Sequence, residues 1–307
     1  MDSSRKLLSS GALRFVGSPW ILLSLTMLAW GGNVVAARLA RGEISPMMLV
    51  CLRWAVVLVV LVAYAPRQIF VELRNLRPHW VFALLMGGLG FTLSNGLLFL
   101  GAQTTSGINV AIIQGTMPMF VLIGAKLVYG FKIGLVRGLC VLLTFLGILL
   151  VISQGDLTTL GSLRFNWGDV SVVGGCLAYA IFTLALRQRP NVSAFGFFIG
   201  LAFAAFLTSL PPMALEIAFG AAIWPGVKGL FILLYVAIFT SLLGQIFFIR
   251  AVTIVGPGRA GMFQNAVPVV GALLSVAVLR EEFHLYHALG LGLVVIGIVT
   301  AERLGQR

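Results

Sequence analysis

"QGTMP" at Gln114–Pro118 and "QNAVP" at Gln264–Pro268 place a glutamine four residues before a proline, twice, 150 positions apart. Each motif lies near the middle of a long apolar run. There a proline removes one backbone donor and leaves the carbonyl four residues earlier, that of Gln114 or Gln264, without its helical partner. Sliding Ser106–Val151 forward by the same 150 positions also superimposes Leu135 on Leu285, Leu139 on Leu289 and Gly147-Ile148 on Gly297-Ile298. The two halves of the chain are copies of one unit.

What that unit is follows from composition. The 307 residues are 60% hydrophobic and only 10% charged, and the mean hydropathy is +1.06, the profile of a membrane protein rather than a soluble domain. About 20 apolar residues make one helical crossing. Runs of that length occur near Trp20–Ala40, Ser45–Tyr64, Trp80–Ala102, Gly107–Tyr129 and Gly134–Ser153, and again near Asp169–Leu186, Ser193–Phe219, Val227–Val252, Pro257–Leu279 and Phe283–Ala301. The expected fold is all-α and integral to the membrane, with ten helices. Its parts are a cytoplasmic segment 1–19, a first repeat 20–153, a connector 154–168, a second repeat 169–302 and a cytoplasmic tail 303–307. The first apolar run is too long for a signal peptide and reads as a retained helix.

With the N-terminus placed in the cytoplasm, Arg38, Arg41, Arg164, Lys228 and Arg280 fall outside, Arg53 falls within a span, and the remaining fifteen of the 21 Lys and Arg fall inside. This bias predicts N-in and C-in topology, and it accounts for the net charge of +12 without nucleic acid as a partner. Five spans per unit make the second repeat cross the membrane in the opposite sense. Inverted repeats are a transporter architecture whose site lies near the midplane where the halves meet.

The two proline breaks, Pro118 and Pro268, are therefore expected to gate or line that site, together with Gln114, Gln264 and Asn265, although kinks of purely structural use are common in membrane helices. Asn33, Asn95 and Gln245 are further amides within spans; interhelical hydrogen bonding is the competing role for each. Trp30 and Tyr179, matched at an offset of 149, lie too deep for an interfacial belt and are either core or pocket walls. At the same offset Arg38 meets Arg187 but Asn33 meets Phe182, so Asn33 is the sharper candidate for selectivity. Gly31-Gly32 and the glycines Gly87, Gly88, Gly90 and Gly96 allow close helix approach.

The carboxylates and histidines lie outside spans or at their ends, which favours facilitated diffusion or exchange over proton coupling. Arg53, a third of the way along the second span, is read as a structural charge whose fork binds carbonyls at a helix end or snorkels outward. One midplane cation argues against phosphorylated substrates. Cys51, Cys140 and Cys176 show no disulfide or metal spacing, and no cofactor or metal is expected. The chain lacks HExxH, GxSxG and phosphate-loop motifs, so an enzyme is not expected; a channel or receptor accounts less directly for the matched breaks.

"AWGGNVVAARL" (29–39), "EISPMMLVCLRW" (43–54) and "PVVGALLSVAVLREEFHLYHALGLGLVVIGIV" (268–299) resemble the paired signatures of the EamA family in the drug/metabolite transporter superfamily. The resemblance runs from Trp20 to Ala301 and implies ten helices in two inverted five-helix repeats. It also implies a basket of helices one, three, four, six, eight and nine around a cavity that would hold Trp30, Asn33, Asn95, Gln114, Tyr179, Gln245, Gln264 and Asn265. Arg280 stands where similar sequences carry glycine before the glutamate. Exporters of amino acids, including aromatic ones, are nearest in polar inventory, and exporters of cationic or amphipathic drugs are the alternative. The implied setting is a bacterial inner membrane, with a small-molecule substrate, the lipid bilayer as surroundings, and a monomer or homodimer as the assembly.

Overall fold

The computed structural model describes residues 18–64, 66–131, 134–156 and 166–305, which are helical with no strand among them. The expected N-terminal segment, apart from its last two residues, most of the connector, and Lys132, Arg164 and Arg307 lie outside the described residues.

The first repeat comprises α1 (Pro19–Leu39), α2 (Pro46–Tyr64), the amphipathic α3 (Pro66–Leu76), α4 (Trp80–Gly87), α5 (Ser94–Gly101), α6 (Gly107–Gln114), α7 (Met117–Tyr129) and α8 (Leu135–Ile152). The second comprises α9 (Trp167–Ala185), α10 (Ala194–Ala218), α11 (Val227–Leu234), α12 (Gly244–Val255), α13 (Pro257–Gln264), α14 (Ala266–Leu279) and α15 (Leu285–Gly305). Among the described residues eight helical stretches are long and apolar enough to cross a membrane, and two shorter apolar helices, Gly138–Ile152 and Leu285–Ala301, follow the fourth and the eighth of them in the chain.

Local chemistry sets the starts. Pro19 and Pro118 stand in the first turns of α1 and α7, where the missing donor costs nothing. Ser106, Asn166 and Ser193 cap α6, α9 and α10 by accepting from Asn109, Gly168 and Gly196 N–H. The matched prolines do interrupt their helices: α6 stops at Gln114 and α7 resumes at Met117, while α13 stops at Gln264 and α14 resumes at Ala266.

A second matched interruption has no counterpart in the sequence reading. A π-helical segment, Gly88–Leu93, joins α4 to α5, and another, Tyr235–Leu243, joins α11 to α12. Such segments insert residues into a helix and cluster at functional sites.

The repeats pack antiparallel across a pseudo-two-fold. A Cβ on Gly101 would lie 2.5 Å from the Gly168 carbonyl oxygen, and one on Gly168 2.6 Å from that of Gly101, which brings the end of α5 against the start of α9. Gly147 and Gly290 approach as closely, at 2.7 and 2.9 Å, between α8 and α15. A Cβ on Gly31 would lie 2.6 Å from Val270 of α14, and one on Gly32 would clash with the Tyr235 hydroxyl, so α1 packs through its small-residue edge as expected. These contacts put Pro19, Tyr129, Leu186 and Val255 at one end of the bundle, here the Pro19 end, and Leu39, Ala102, Gly107 and Gly168 at the other, the Leu39 end.

Candidate functional site

The two π segments frame the centre of the bundle, and α2 projects Arg53 between them. Arg53 Nε donates to Ser241 Oγ at 2.8 Å, and its Nη1 donates to Asn95 Oδ1 at 3.0 Å. Both acceptors are themselves oriented. Ser241 donates to the Val236 carbonyl five residues back, and Asn95 Nδ2 donates to the Phe91 carbonyl at 2.9 Å. The guanidinium carbon lies 5.2 Å from the Trp54 ring centroid and 5.7 Å from that of Phe99, within cation–π range. Trp54 in turn stacks on Phe91 at 4.8 Å. Arg53 therefore neither binds carbonyls nor snorkels. It is 3% exposed and ties side chains of both repeats together.

Arg53 also lines a cavity of about 750 Å³. Around the same cavity stand the predicted Trp30, Asn33, Asn95 and Gln114 of the first repeat, Tyr179, Gln245, Gln264 and Asn265 of the second, and both prolines, Pro118 and Pro268. The structure thus places around one cavity the eight side chains and two prolines expected to line or gate the site. Among the described lining residues Arg53 is the only charged one.

Trp30 Nε1 donates to the Thr240 carbonyl at 3.2 Å, and its ring packs on Phe248 at 5.2 Å. Tyr179 packs on Phe182, which continues to Phe91. Among the described residues four polar atoms of the wall have no hydrogen-bond partner: Asn33 Oδ1, Trp54 Nε1, Gln114 Nε2 and Thr240 Oγ1. Buried polar groups are almost always paired, so an acceptor, two donors and a hydroxyl are left for a guest.

Sequence reading missed Trp54, Phe91, Ser94, Thr240 and Ser241 as lining residues. The available signal was the matched pair Phe91-Thr92 and Phe239-Thr240, 148 positions apart. Phe99 is fully buried against Arg53, whereas Phe263 stacks on Trp20 at 5.6 Å and does not line the cavity.

The two ends of the cavity differ. Leu122 and Ala125 of α7, Leu186, Val252 of α12 and Ala301 of α15 carry the lining toward the Pro19 end. Toward the Leu39 end the walls meet in fully buried side chains such as Val34, Phe99, Ala102 and Ile108. That closed end is pinned by carboxylates. Glu281 accepts from Gly107 and Ile108 N–H at 2.8 and 2.9 Å, capping α6, and pairs with Arg38 Nε at 3.4 Å. Arg38 Nη1 donates to the Ala102 carbonyl at 2.8 Å. Glu216 caps α2 through Ser45 Oγ and Met47 and Met48 N–H. Asp169, 1% exposed, accepts from Thr105. Two carboxylates that looked idle in the sequence, Glu216 and Glu281, are caps on helices of the other repeat.

A chain whose two halves enclose a central, mostly apolar cavity within a set of membrane-length helices has the form of a small-solute carrier. The model for the EamA-like transporter family matches residues 18–153 and 166–301. The chain belongs to that family and is a multi-pass membrane transporter with two EamA repeats. It is 26% identical over 292 residues to the uncharacterized transporter YyaM of Bacillus subtilis (strain 168), covering 92% of this chain and 93% of that one. To YetK of the same organism, also an uncharacterized transporter, it is 26% identical over 91% of this chain and 85% of that one. An uncharacterized transporter of Archaeoglobus fulgidus is 24% identical, with 91% and 95% covered. A solved structure titled "Crystal structure of protein" shares the fold at a TM-score of 0.65, with 17% identity over 95% of this chain and 98% of that one.

Proposed function

We propose that this transporter exports small neutral or zwitterionic metabolites, amino acids foremost and aromatic or hydrophobic ones among them. The observation that carries this reading is the cavity wall: amides, three indole or phenol side chains (Trp30, Trp54 and Tyr179) and, among the described lining residues, a single cation without a carboxylate. Trp30 and Tyr179 suit an apolar side chain, while Asn33 and Gln114 offer an unpaired acceptor and an unpaired donor. A cationic drug would meet Arg53 and no carboxylate in the cavity, which disfavours the drug-exporter alternative.

In this reading ten helices span a bacterial inner membrane with both termini in the cytoplasm, and the cavity faces the cytoplasm. Access alternates as the repeats rock about the midplane site, with Pro118 and Pro268 as the points of bending. The described lining residues include no carboxylate or histidine to carry a proton, so the solute's own gradient or exchange drives flux. The working unit is a monomer, without cofactor.

The test is flux in liposomes containing the purified protein, with an amino-acid panel set against cationic dyes. Saturable amino-acid flux stimulated by countertransport is expected; movement of dyes alone, or of phosphorylated solutes alone, ends the reading. Trp30→Ala and Gln264→Ala are expected to raise the apparent KM about tenfold, the loss of an aromatic wall or a hydrogen bond. Unchanged kinetics in both variants would remove those residues from the site.

A further inference from the structure

Arg53 is a buried cation whose geometry is incomplete. It offers five N–H donors; Nε and one N–H of Nη1 are used, and among the described residues no carboxylate lies within ion-pair distance. Neutral partners and two ring faces only partly offset the cost of burying a full charge in a membrane interior. Such a charge is retained where a counter-ion arrives.

The scaffold does not demand it. Ser45 and Ser193 stand at the matched starts of α2 and α10, each hydrogen-bonded to a carboxylate from the other repeat. Carried along that offset of 148 positions, Arg53 meets Leu201, 4% exposed in the core. The same helix of the same unit thus closes around a leucine in one half and a guanidinium in the other.

We propose that Arg53 is the docking point for the carboxylate of the transported solute. The deduction rests on the carrier function proposed above and specifies its substrate class. With Nε held by Ser241 and one side of Nη1 held by Asn95, the donors left over are those at the Nη1–Nη2 tip. A planar carboxylate accepts such a pair in parallel. A dianionic phosphate would leave one charge uncompensated, because no second cation is among the described lining residues. In an α-amino acid the ammonium group has its own acceptor in the unpaired Asn33 Oδ1, and Trp30 and Tyr179 receive the side chain. Because Arg53 is fastened to Asn95 beside one π segment and Ser241 within the other, the bound carboxylate would be felt in both repeats.

The experiment uses the full chain in liposomes. The best-transported member of the amino-acid panel is compared with three relatives of the same side chain: its primary amide, its decarboxylated amine and its deaminated monocarboxylate. The acid is expected to be moved and the amide and amine to be moved at least about tenfold less well, the value of a charge-assisted hydrogen bond. Arg53→Gln is expected to erase that preference, whereas Arg53→Lys keeps part of it. Loss of acid and amide flux in equal measure in Arg53→Gln would make Arg53 a packing residue and overturn the proposal. So would a wild-type protein that binds no carboxylate. If the deaminated monocarboxylate is moved as well as the amino acid, Arg53 keeps its role and the amino-acid reading falls. Should Arg53→Gln not fold, Arg53→Lys decides: apparent acid affinity is expected to drop about tenfold for loss of the fork, and unchanged affinity overturns the proposal.

Discussion

Arg38 and Arg187 occupy equivalent places in the two repeats, 149 positions apart, and meet different partners. Arg38 pairs with Glu281, which caps α6 and closes the Leu39 end. The position 150 residues before Glu281 is Phe131. Arg187 lies over the rings of Phe131 and Tyr129, at 5.8 and 4.7 Å, beside the wide end of the cavity. The same geometry thus holds a charged latch at one end and a cation–π contact at the other. A carboxylate joined to two backbone N–H groups at a helix start and to a guanidinium is a strong contact. An exposed ring is a weak one. Glu281 against Phe131 at the equivalent position is thus one difference between the shut end and the open one.

Breaking the strong latch is expected to have the largest effect. Glu281→Ala removes the carboxylate that accepts from the Gly107 and Ile108 N–H groups and pairs with Arg38, and is expected to cost the closed end about 2 kcal/mol, or about thirtyfold in its population. The measurement is maleimide labelling of Ala102→Cys, a position buried in the native protein, as are the native Cys51, Cys140 and Cys176. The labelling rate should rise in Glu281→Ala. No change would mean that the buried apolar seal, not the latch, holds this end shut.

Building the missing latch comes next. Phe131→Glu gives Arg187 a carboxylate at the position equivalent to Glu281, and is expected to favour closure of the Pro19 end by about 1 kcal/mol, less than the native latch because Arg187 is exposed. Ala125→Cys, on the cavity wall near that end, should label more slowly in this background. Faster labelling would show that the aromatic contact is itself the closing element.

Much of this was legible beforehand. Hydropathy gives the spans because lipid rewards continuous apolar runs. An ungapped offset of 150 gives the repeat and both proline breaks. Polar residues inside those runs were already cavity candidates, since an amide in hydrocarbon must face protein or water, and Asn33, Asn95, Gln114, Gln245, Gln264 and Asn265 all line the cavity. The π segments were not legible, because Gly88–Leu93 and Tyr235–Leu243 carry no proline and differ from ordinary apolar helix only in hydrogen-bond register. Nor was the environment of Arg53, whose partners lie 42 and 188 positions away. Glu216 and Glu281 looked like loop charges, since the helices they cap start more than 160 positions earlier.

Of the ion pairs at the Leu39 end, the one between Lys228 and Glu43, at 3.0 Å, is solvent-exposed, with 60% and 31% of the two side chains accessible. Screening and side-chain entropy leave such a pair about 0–0.5 kcal/mol. Lys228→Met is therefore expected to leave Ala102→Cys labelling and the melting temperature nearly unchanged. A loss comparable to that of Glu281→Ala would move the latch outward, from the start of α6 to the start of α11.

A further small effect tests the backbone beneath the comparison. Gly130 and Arg280 end α7 and α14 at equivalent positions, both in the left-handed region, with φ of 68° and 56°. Glycine adopts that conformation freely, whereas a side chain there costs about 1 kcal/mol. Arg280 tolerates the strain directly before Glu281, and the turn it makes is the one that leads into the carboxylate cap on α6. Arg280→Gly relieves the strain but loosens the unfolded chain, so a net gain of about 0.5 kcal/mol is expected, read as a small rise in melting temperature with Ala102→Cys still protected. If the variant instead exposes Ala102→Cys, the arginine side chain belongs to the latch, and the difference between the two ends rests on a pair of residues rather than on Glu281 alone.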